Sequence, residues 1–269
     1  RLLVGGAHLD EQFGATREEI RRDGFTIDRE IAMTPGRDDL VGTARAIGHG
    51  VLNVSEALSR LAPDLFVVYA DRFEGFAALI AGTQMRIPTA HIEGGDLTEG
   101  GALDDSVRHA MTKLAHLHFT TNQQATNRLL WMGEEPWRVH TVGMAVLDLV
   151  AKGEFAAPEE LAARYGLRPD EPLLVFTQHS VTTEFDLAAA QLSPSLEALE
   201  RLAAEGVQIL MTYSNNDAGG QRIVEALRRF AAGHPQAVQL RASLGRADYH
   251  GLLHLCGRGG RGACVGNSS

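Results

Sequence analysis

The sequence predicts an α/β fold built from two doubly wound domains, and three observations predict it. Short apolar runs alternate with longer amphipathic stretches along nearly the whole chain. Several runs end in polar or acidic residues and pass straight into a helical pattern, the layout of βαβ units with a mostly parallel sheet. The composition also shifts once, near 146–170, where Lys152-Gly153, a charged helical stretch from Pro158 to Tyr165, Pro169 and Pro172 separate two such halves. We therefore expect domains at 1–150 and 151–269, each with four or five strands, facing one cleft.

Strands are expected at 2–5, 65–70, 88–92, 117–121 and 138–142 in the first half. In the second they are expected at 172–177, 207–212, 237–241 and 262–266. Helical patterns lie between them, at 38–62, 73–84, 104–115, 122–133, 184–204, 217–232 and 247–255. Within the first of these, Val51, Val54, Leu58 and Leu61 fall on one face of a helix. Gly82 reads as a helix breaker, and Pro88 as the start of the third strand.

Composition narrows the function. The chain has 269 residues, 44% of them apolar, enough for real cores. A net charge of −9 gives no support to a nucleic-acid partner. Lys113 and Lys152 are the only lysines, a bias without functional content. Cys256 and Cys264 are the only cysteines; they make no disulfide framework and fit a reducing cytoplasm. No apolar run approaches ~18 residues, so no membrane span is expected, and no signal peptide is visible. The chain opens inside the apolar run Leu2-Leu3-Val4 and stops just past another, at Gly266-Asn267-Ser268-Ser269. Both ends read as cut within a fold.

Open parallel sheets take ligands just beyond the carboxyl ends of their strands. Asp71-Arg72 follows one expected strand, His91-Ile92-Glu93-Gly94-Gly95-Asp96 closes the next, and Asp104-Asp105 opens a helix. Asp71, Glu93 and Asp104 are thus expected to converge on one crevice as acid–base groups. Arg72 is expected there as a cation for phosphate. The plain alternatives are a helix cap at Asp71, a Glu93 satisfied by an arginine, and capping by one of the paired aspartates. Strand alternation places His91 and Glu93 on one side, and the two glycines allow a close approach of backbone to ligand. Residues 98–101 read as a loop able to act as a lid. His116 and His118 read as structural.

In the second half, Thr177-Gln178-His179-Ser180-Val181-Thr182-Thr183-Glu184 sits at a strand-to-helix turn, where a phosphate would suit the helix N-terminus. A capping box would look similar. Ser214-Asn215-Asn216-Asp217-Ala218-Gly219-Gly220 repeats the layout, and Gly266-Asn267-Ser268-Ser269 would do so again. Three such turns describe a nucleotide cradle. His250 and His254 have i, i+4 spacing, but Gly251 stands where a zinc-protease motif needs Glu, so an ordinary helix face is expected. Gly257, Gly259 and Gly262 form a literal GxGxxG ahead of a strand, which lacks the context of a dinucleotide site, and no P-loop is present.

These segments resemble the hydrolysing UDP-N-acetylglucosamine 2-epimerases of sialic- and legionaminic-acid pathways. The resemblance is carried by Gly6-Ala7-His8-Leu9, Asp71-Arg72-Phe73-Glu74, His91 to Gly95, and Asp104 to His109. It continues through Lys113 to His118, Gln178-His179 with Val181-Thr182-Thr183, Asn215 with Asp217-Ala218-Gly219, and Gly266 to Ser269, in the family's order. The resemblance implies two Rossmann-like domains of the glycosyltransferase-B type. It implies a UDP-sugar substrate, no metal or nicotinamide cofactor, and a cytoplasmic homodimer or homotetramer. Asp71, Glu93 and Asp104 inherit acid–base roles. His179 would contact the diphosphate, Asn215, Ser268 and Ser269 would sit on UDP, and Arg72 and His8 would line the site. A glycosyltransferase of the same fold, or an inactive nucleotide-sugar-binding fragment, are the competing readings. Ala70 stands where the family usually has Gly, and Ser180 where it usually has Pro. The family's first strand and Gly-Thr-Arg segment are missing ahead of Arg1, as is its ribose-binding Glu after Ser269.

Overall fold

Among the described residues every strand pairing is parallel, and this follows from the alternation of short strands with long helices. The computed structural model describes residues 1–98, 103–168, 170–257 and 262–267. They divide into two compact units, Arg1–Leu9 with Ile20–Leu147, and Asp10–Glu19 with Asp148–Ser269. The Asp10–Glu19 excursion belongs with the second unit because the Glu19 carboxylate accepts from the Arg246 backbone N–H at 2.6 Å.

In the first unit, β1 (Leu3–Gly5) pairs with β2 (Arg29–Ile31). A second sheet runs in sequence order through β3 (Phe66–Tyr69), β4 (Thr89–Ile92), β5 (Leu117–Thr120) and β6 (Val139–Thr141). Its helices are α2 (Leu40–Leu61), α3 (Phe73–Gln84), α4 (Leu103–Leu114) and α5 (Gln123–Trp131), while α1 (Arg17–Arg22) and α6 (Ala145–Ala151) run across the boundaries between the units. The apolar face of α2 packs with α3: Val54, Leu58, Ala77 and Ala81 share one cluster with Ile31 and Met33. Val68, Leu79 and Met111 form another. Asn122 caps α5 by accepting from the Ala125 N–H at 2.9 Å.

The second unit contains α7 (Pro158–Tyr165), β7 (Leu173–Thr177), α8 (Ala188–Ala204), β8 (Gln208–Thr212), α9 (Gly220–Gly233), β9 (Val238–Arg241), α10 (Arg246–Gly257) and β10 (Gly262–Gly266). Its sheet has the order β10-β7-β8-β9. Alternate residues of β7 enter opposite cores. Leu174 and Phe176 pack on α8 and α9, and Leu173 and Val175 pack with Leu161, Leu252 and Cys256 of α7 and α10. That two-sided burial is why β7 reads as an unbroken apolar run.

All nine expected strands are present within a residue or so of their expected limits, and β2 is an addition. Its sequence, Arg-Glu-Ile, buries only Ile31 and carries no alternation to detect. The helix expected from 184 begins instead as a 3-10 turn, Thr182–Leu187, with the α-helix starting at Ala188. No side chain caps that turn, so the capping-box alternative does not form. Among the described residues no helix is long and apolar enough to cross a membrane.

Candidate active site

At the carboxyl end of β3 the chain turns sharply. Ala70 takes φ 64°, a left-handed conformation that costs a residue with a Cβ on the order of 1 kcal/mol. Two contacts hold it: its N–H donates to the Ile92 carbonyl at 3.0 Å, and its carbonyl accepts from His91 Nε2 at 2.6 Å. His91 is fully buried on β4, and burial pushes its pKa down, so it stays neutral with the proton on Nε2. The turn presents Asp71, which accepts a hydrogen bond from Arg108 Nη2. Asp71 does not cap α3; Arg72 occupies that position without a side-chain cap.

Arg108 is the pivot of this edge. It lies in α4, only 7% exposed. Besides Asp71 it donates to Asp105 Oδ1 and to the Asp96 carbonyl, each at 2.8 Å. Asp105 also accepts from the Thr98 N–H at 2.8 Å. The first turn of α4, the end of β3 and the segment after β4 are thereby tied together. Asp104 lies beside Asp105 in that turn, half-buried.

Glu93 follows β4 directly and takes φ 67°. Alternation therefore stops at Ile92, and the expected placement of His91 and Glu93 on one side does not hold. His91 points into the core, while Glu93 Oε1 accepts from Tyr69 Oη at 2.5 Å. Among the described residues the side chain bound to Glu93 is Tyr69, not the arginine that the plain alternative would have required. Gly94 and Gly95 serve packing: a Cβ on Gly95 would overlap Leu129, and one on Gly94 would sit 2.9 Å from His91 Nδ1. Arg72 Nε pairs with Glu74 Oε2 at 3.2 Å. Gly6 abuts the Glu74 carboxylate, which brings the 3-10 turn Gly6–Leu9, with the exposed His8, beside the start of α3. Thr98 bonds to Asp105; residues 99–101 lie outside the described residues.

In the second unit three strand ends meet. The His179 N–H donates to Asn267 Oδ1 at 2.7 Å, and Asn267 Nδ2 donates back to the His179 carbonyl at 3.0 Å. His179 Nδ1 accepts from the Asn215 N–H at 3.0 Å. That bond fixes the proton of a neutral His179 on Nε2. Asn215 Nδ2 reaches Asp217 Oδ2 at 2.6 Å, and Ser180 Oγ donates to the Ala218 carbonyl at 2.7 Å. The segments after β7, β8 and β10 are thus one connected cluster. It lies where the strand order reverses, since β8 and β9 lie to one side of β7 and β10 to the other. Ser268 and Ser269 lie outside the described residues.

The residues that sequence reasoning did not single out are Arg108, Tyr69 and Asn267. Asn267 had a signal, since it follows a strand in the same way as Asn215. Arg108 lies inside the Asp104 to His109 segment that carries the resemblance, and Tyr69 had no signal beyond its place before Asp71. Among the described residues no group of three or more His, Cys, Asp or Glu side chains is arranged to hold a metal ion. His254 packs against Phe155 at a tilt of 42°, with ring centroids 4.9 Å apart.

A family model described as UDP-N-acetylglucosamine 2-epimerase matches residues 1–269. The chain is 29% identical to the GDP/UDP-N,N'-diacetylbacillosamine 2-epimerase (hydrolyzing) of Campylobacter jejuni, over 100% of this chain and 68% of that protein. It is 32% identical to the UDP-N,N'-diacetylbacillosamine 2-epimerase (hydrolyzing) of Legionella pneumophila, over 85% of this chain and 59% of that protein. The chain thus matches from 59% to 68% of the length of these two relatives. The crystal structure of UDP-GlcNAc 2-epimerase from Neisseria meningitidis bound to UDP-GlcNAc superposes with a TM-score of 0.66. That match has 16% identity over 100% of this chain and 77% of that one, and it shows a shared fold. By its whole-length match, the chain belongs to the UDP-N-acetylglucosamine 2-epimerase family.

Proposed function

We propose that this chain carries the chemistry of a hydrolysing 2-epimerase. It would expel UDP from UDP-N-acetylglucosamine, or from a relative with a second acetamido group, and release the free 2-epimer. The observation that carries this reading is the interlock of His179 and Asn267 at the reversal of strand order. Parallel α/β sheets take nucleotides at such a point. The names of the two relatives support the hydrolysing reaction and make a diacetamido sugar the main rival to N-acetylglucosamine. In this reading the first unit supplies acid–base groups and the second holds UDP.

The chemistry needs both. As the C1–O bond to UDP breaks, negative charge grows on the diphosphate, which the His179 Nε2–H would stabilise. Positive charge grows at C1 and acidifies the hydrogen on C2. A carboxylate takes that proton, and a C1=C2 double bond forms. Water then adds its oxygen to C1 and gives up a proton, while an acid protonates C2 from the opposite face. One bond to UDP is lost, one to water is gained, and C2 is inverted. Asp71, Glu93 and Asp104 would share the proton transfers. His8 and Arg72 would line the site, and Asn215, Ser268 and Ser269 would hold the nucleotide. The free 2-epimer would suit the synthesis of sialic-acid-type sugars, by a homodimer or homotetramer.

Incubation with UDP-N-acetylglucosamine tests the proposal. Release of UDP with free N-acetylmannosamine supports it; accumulation of UDP-N-acetylmannosamine would assign the non-hydrolysing reaction instead.

A further inference from the structure

We infer that Tyr69 is a positioning residue for Glu93, holding its carboxylate by a phenolic hydrogen bond at the ends of β3 and β4. The inference rests on the acid–base role proposed for Glu93.

Tyr69 is the last residue of β3, and its register partner is Ile92, the last residue of β4. Glu93 comes next in the chain. Its backbone N–H is committed to the Phe119 carbonyl on β5, at 2.9 Å. Its left-handed φ turns the side chain out of the strand pattern, and Tyr69 Oη meets Oε1 at 2.5 Å. Glu93 is thus gripped by β5 through its main chain and by β3 through its side chain. A carboxylate on a single flexible residue would otherwise sample several rotamers, and proton transfer to a sugar carbon tolerates little misplacement.

The donor suits this use. Burial, the bond to Glu93 and the fields of Glu93 and Asp71 all push the Tyr69 phenol well above its ordinary range. It therefore remains a donor at any working pH. The same phenol lies within the field of both carboxylates. Asp71 is bound by the Arg108 cation, whereas Glu93 is bound by a neutral hydroxyl. Among the described residues, the charged and titratable groups on this edge include Asp71, Arg72, Glu93, Asp96, Asp104, Asp105 and Arg108, with His91 buried beneath.

The test is Tyr69→Phe, which deletes one oxygen and keeps the ring. With UDP-N-acetylglucosamine or its diacetamido relative, kcat should fall about 10-fold or more with KM within about 2-fold. The acid limb of the pH–rate profile should move to higher pH, because the charged carboxylate has lost its donor. The melting temperature should stay within a few degrees. An unchanged kcat and pH profile in a folded variant overturns the inference. A wild-type chain inactive on both sugars counts against the proposed function alone, and the Tyr69 role is then read from the Glu93 carboxyl by 13C NMR titration. A midpoint moved upward in Tyr69→Phe supports the role, and an unmoved midpoint overturns it.

Discussion

Arg108, buried in α4, donates to Asp71 at the end of β3, and so fixes an acid from one element with a cation from another. The same guanidinium binds Asp105 and the Asp96 carbonyl. Removing it leaves two carboxylates without their shared cation. Breaking a buried pair on one side typically costs ~3–5 kcal/mol. Asp71 is about a quarter exposed, at 28%, so solvent discounts that figure. For Arg108→Gln we expect a loss of about 2–3 kcal/mol in denaturant unfolding, and at least ~100-fold in kcat. A variant of unchanged stability and rate would remove Arg108 from the account.

Ala70 gives a prediction of opposite sign. Its φ of 64° favours glycine, which pays no Cβ penalty there. Part of the gain is offset by the greater freedom of glycine in the unfolded chain. Ala70→Gly should therefore stabilise by about 0.5–1 kcal/mol, read as a rise in melting temperature, with activity retained.

His118 makes the first unit sensitive to acid. It is fully buried on β5, beside Glu134, which also binds Lys113 Nζ at 2.5 Å and Arg138 Nη2 at 2.7 Å. Burial opposes the Glu134 charge, but the bond to Lys113 and the fields of His118 and Arg138 outweigh it and lower its pKa. Burial pushes His118 from 6.5 to about 4, with Arg138 adding to the effect and Glu134 opposing it. A depressed pKa means that the unfolded chain binds the proton first. Stability is then full above pH 6.5 and is lost as pH falls toward 4. Melting curves across that window should fall by the equivalent of about 1–3 kcal/mol, and His118→Gln should flatten the fall. A wild-type chain equally stable at both ends would contradict this.

The two units should separate binding from chemistry. His179→Ala removes the donor proposed for the diphosphate and should weaken UDP binding by about 10-fold or more in calorimetry. Asp71→Asn should leave UDP affinity within about 2-fold and lower kcat by at least ~100-fold. Equal losses of UDP binding in both variants would count against this division of labour.

The sequence carried the strands well because each is a short apolar run bounded by Gly, Pro or acidic residues. Phe66–Tyr69 and Leu173–Thr177 are clear cases. It carried the polar turns after β7 and β8 as well, since Gln178-His179 and Asn215-Asn216 stand out after apolar strands. What it could not carry depends on distance across the fold. Arg108 lies 37 residues from Asp71, and nothing local marks that pairing. The role of Tyr69 needed the left-handed turn at Glu93, a conformation unexpected of a non-glycine residue. The excursion of Asp10–Glu19 into the second unit rests on the Glu19 bond to the Arg246 backbone, 227 residues away.

The most direct test is NMR of the product formed from UDP-N-acetylglucosamine, or its diacetamido relative, in D2O. Proton removal by one group and return by another, with solvent exchange between, predicts a free 2-epimer carrying deuterium at C2, together with UDP. A product that keeps its original C2 hydrogen, or a sugar still joined to UDP, would contradict elimination followed by hydration.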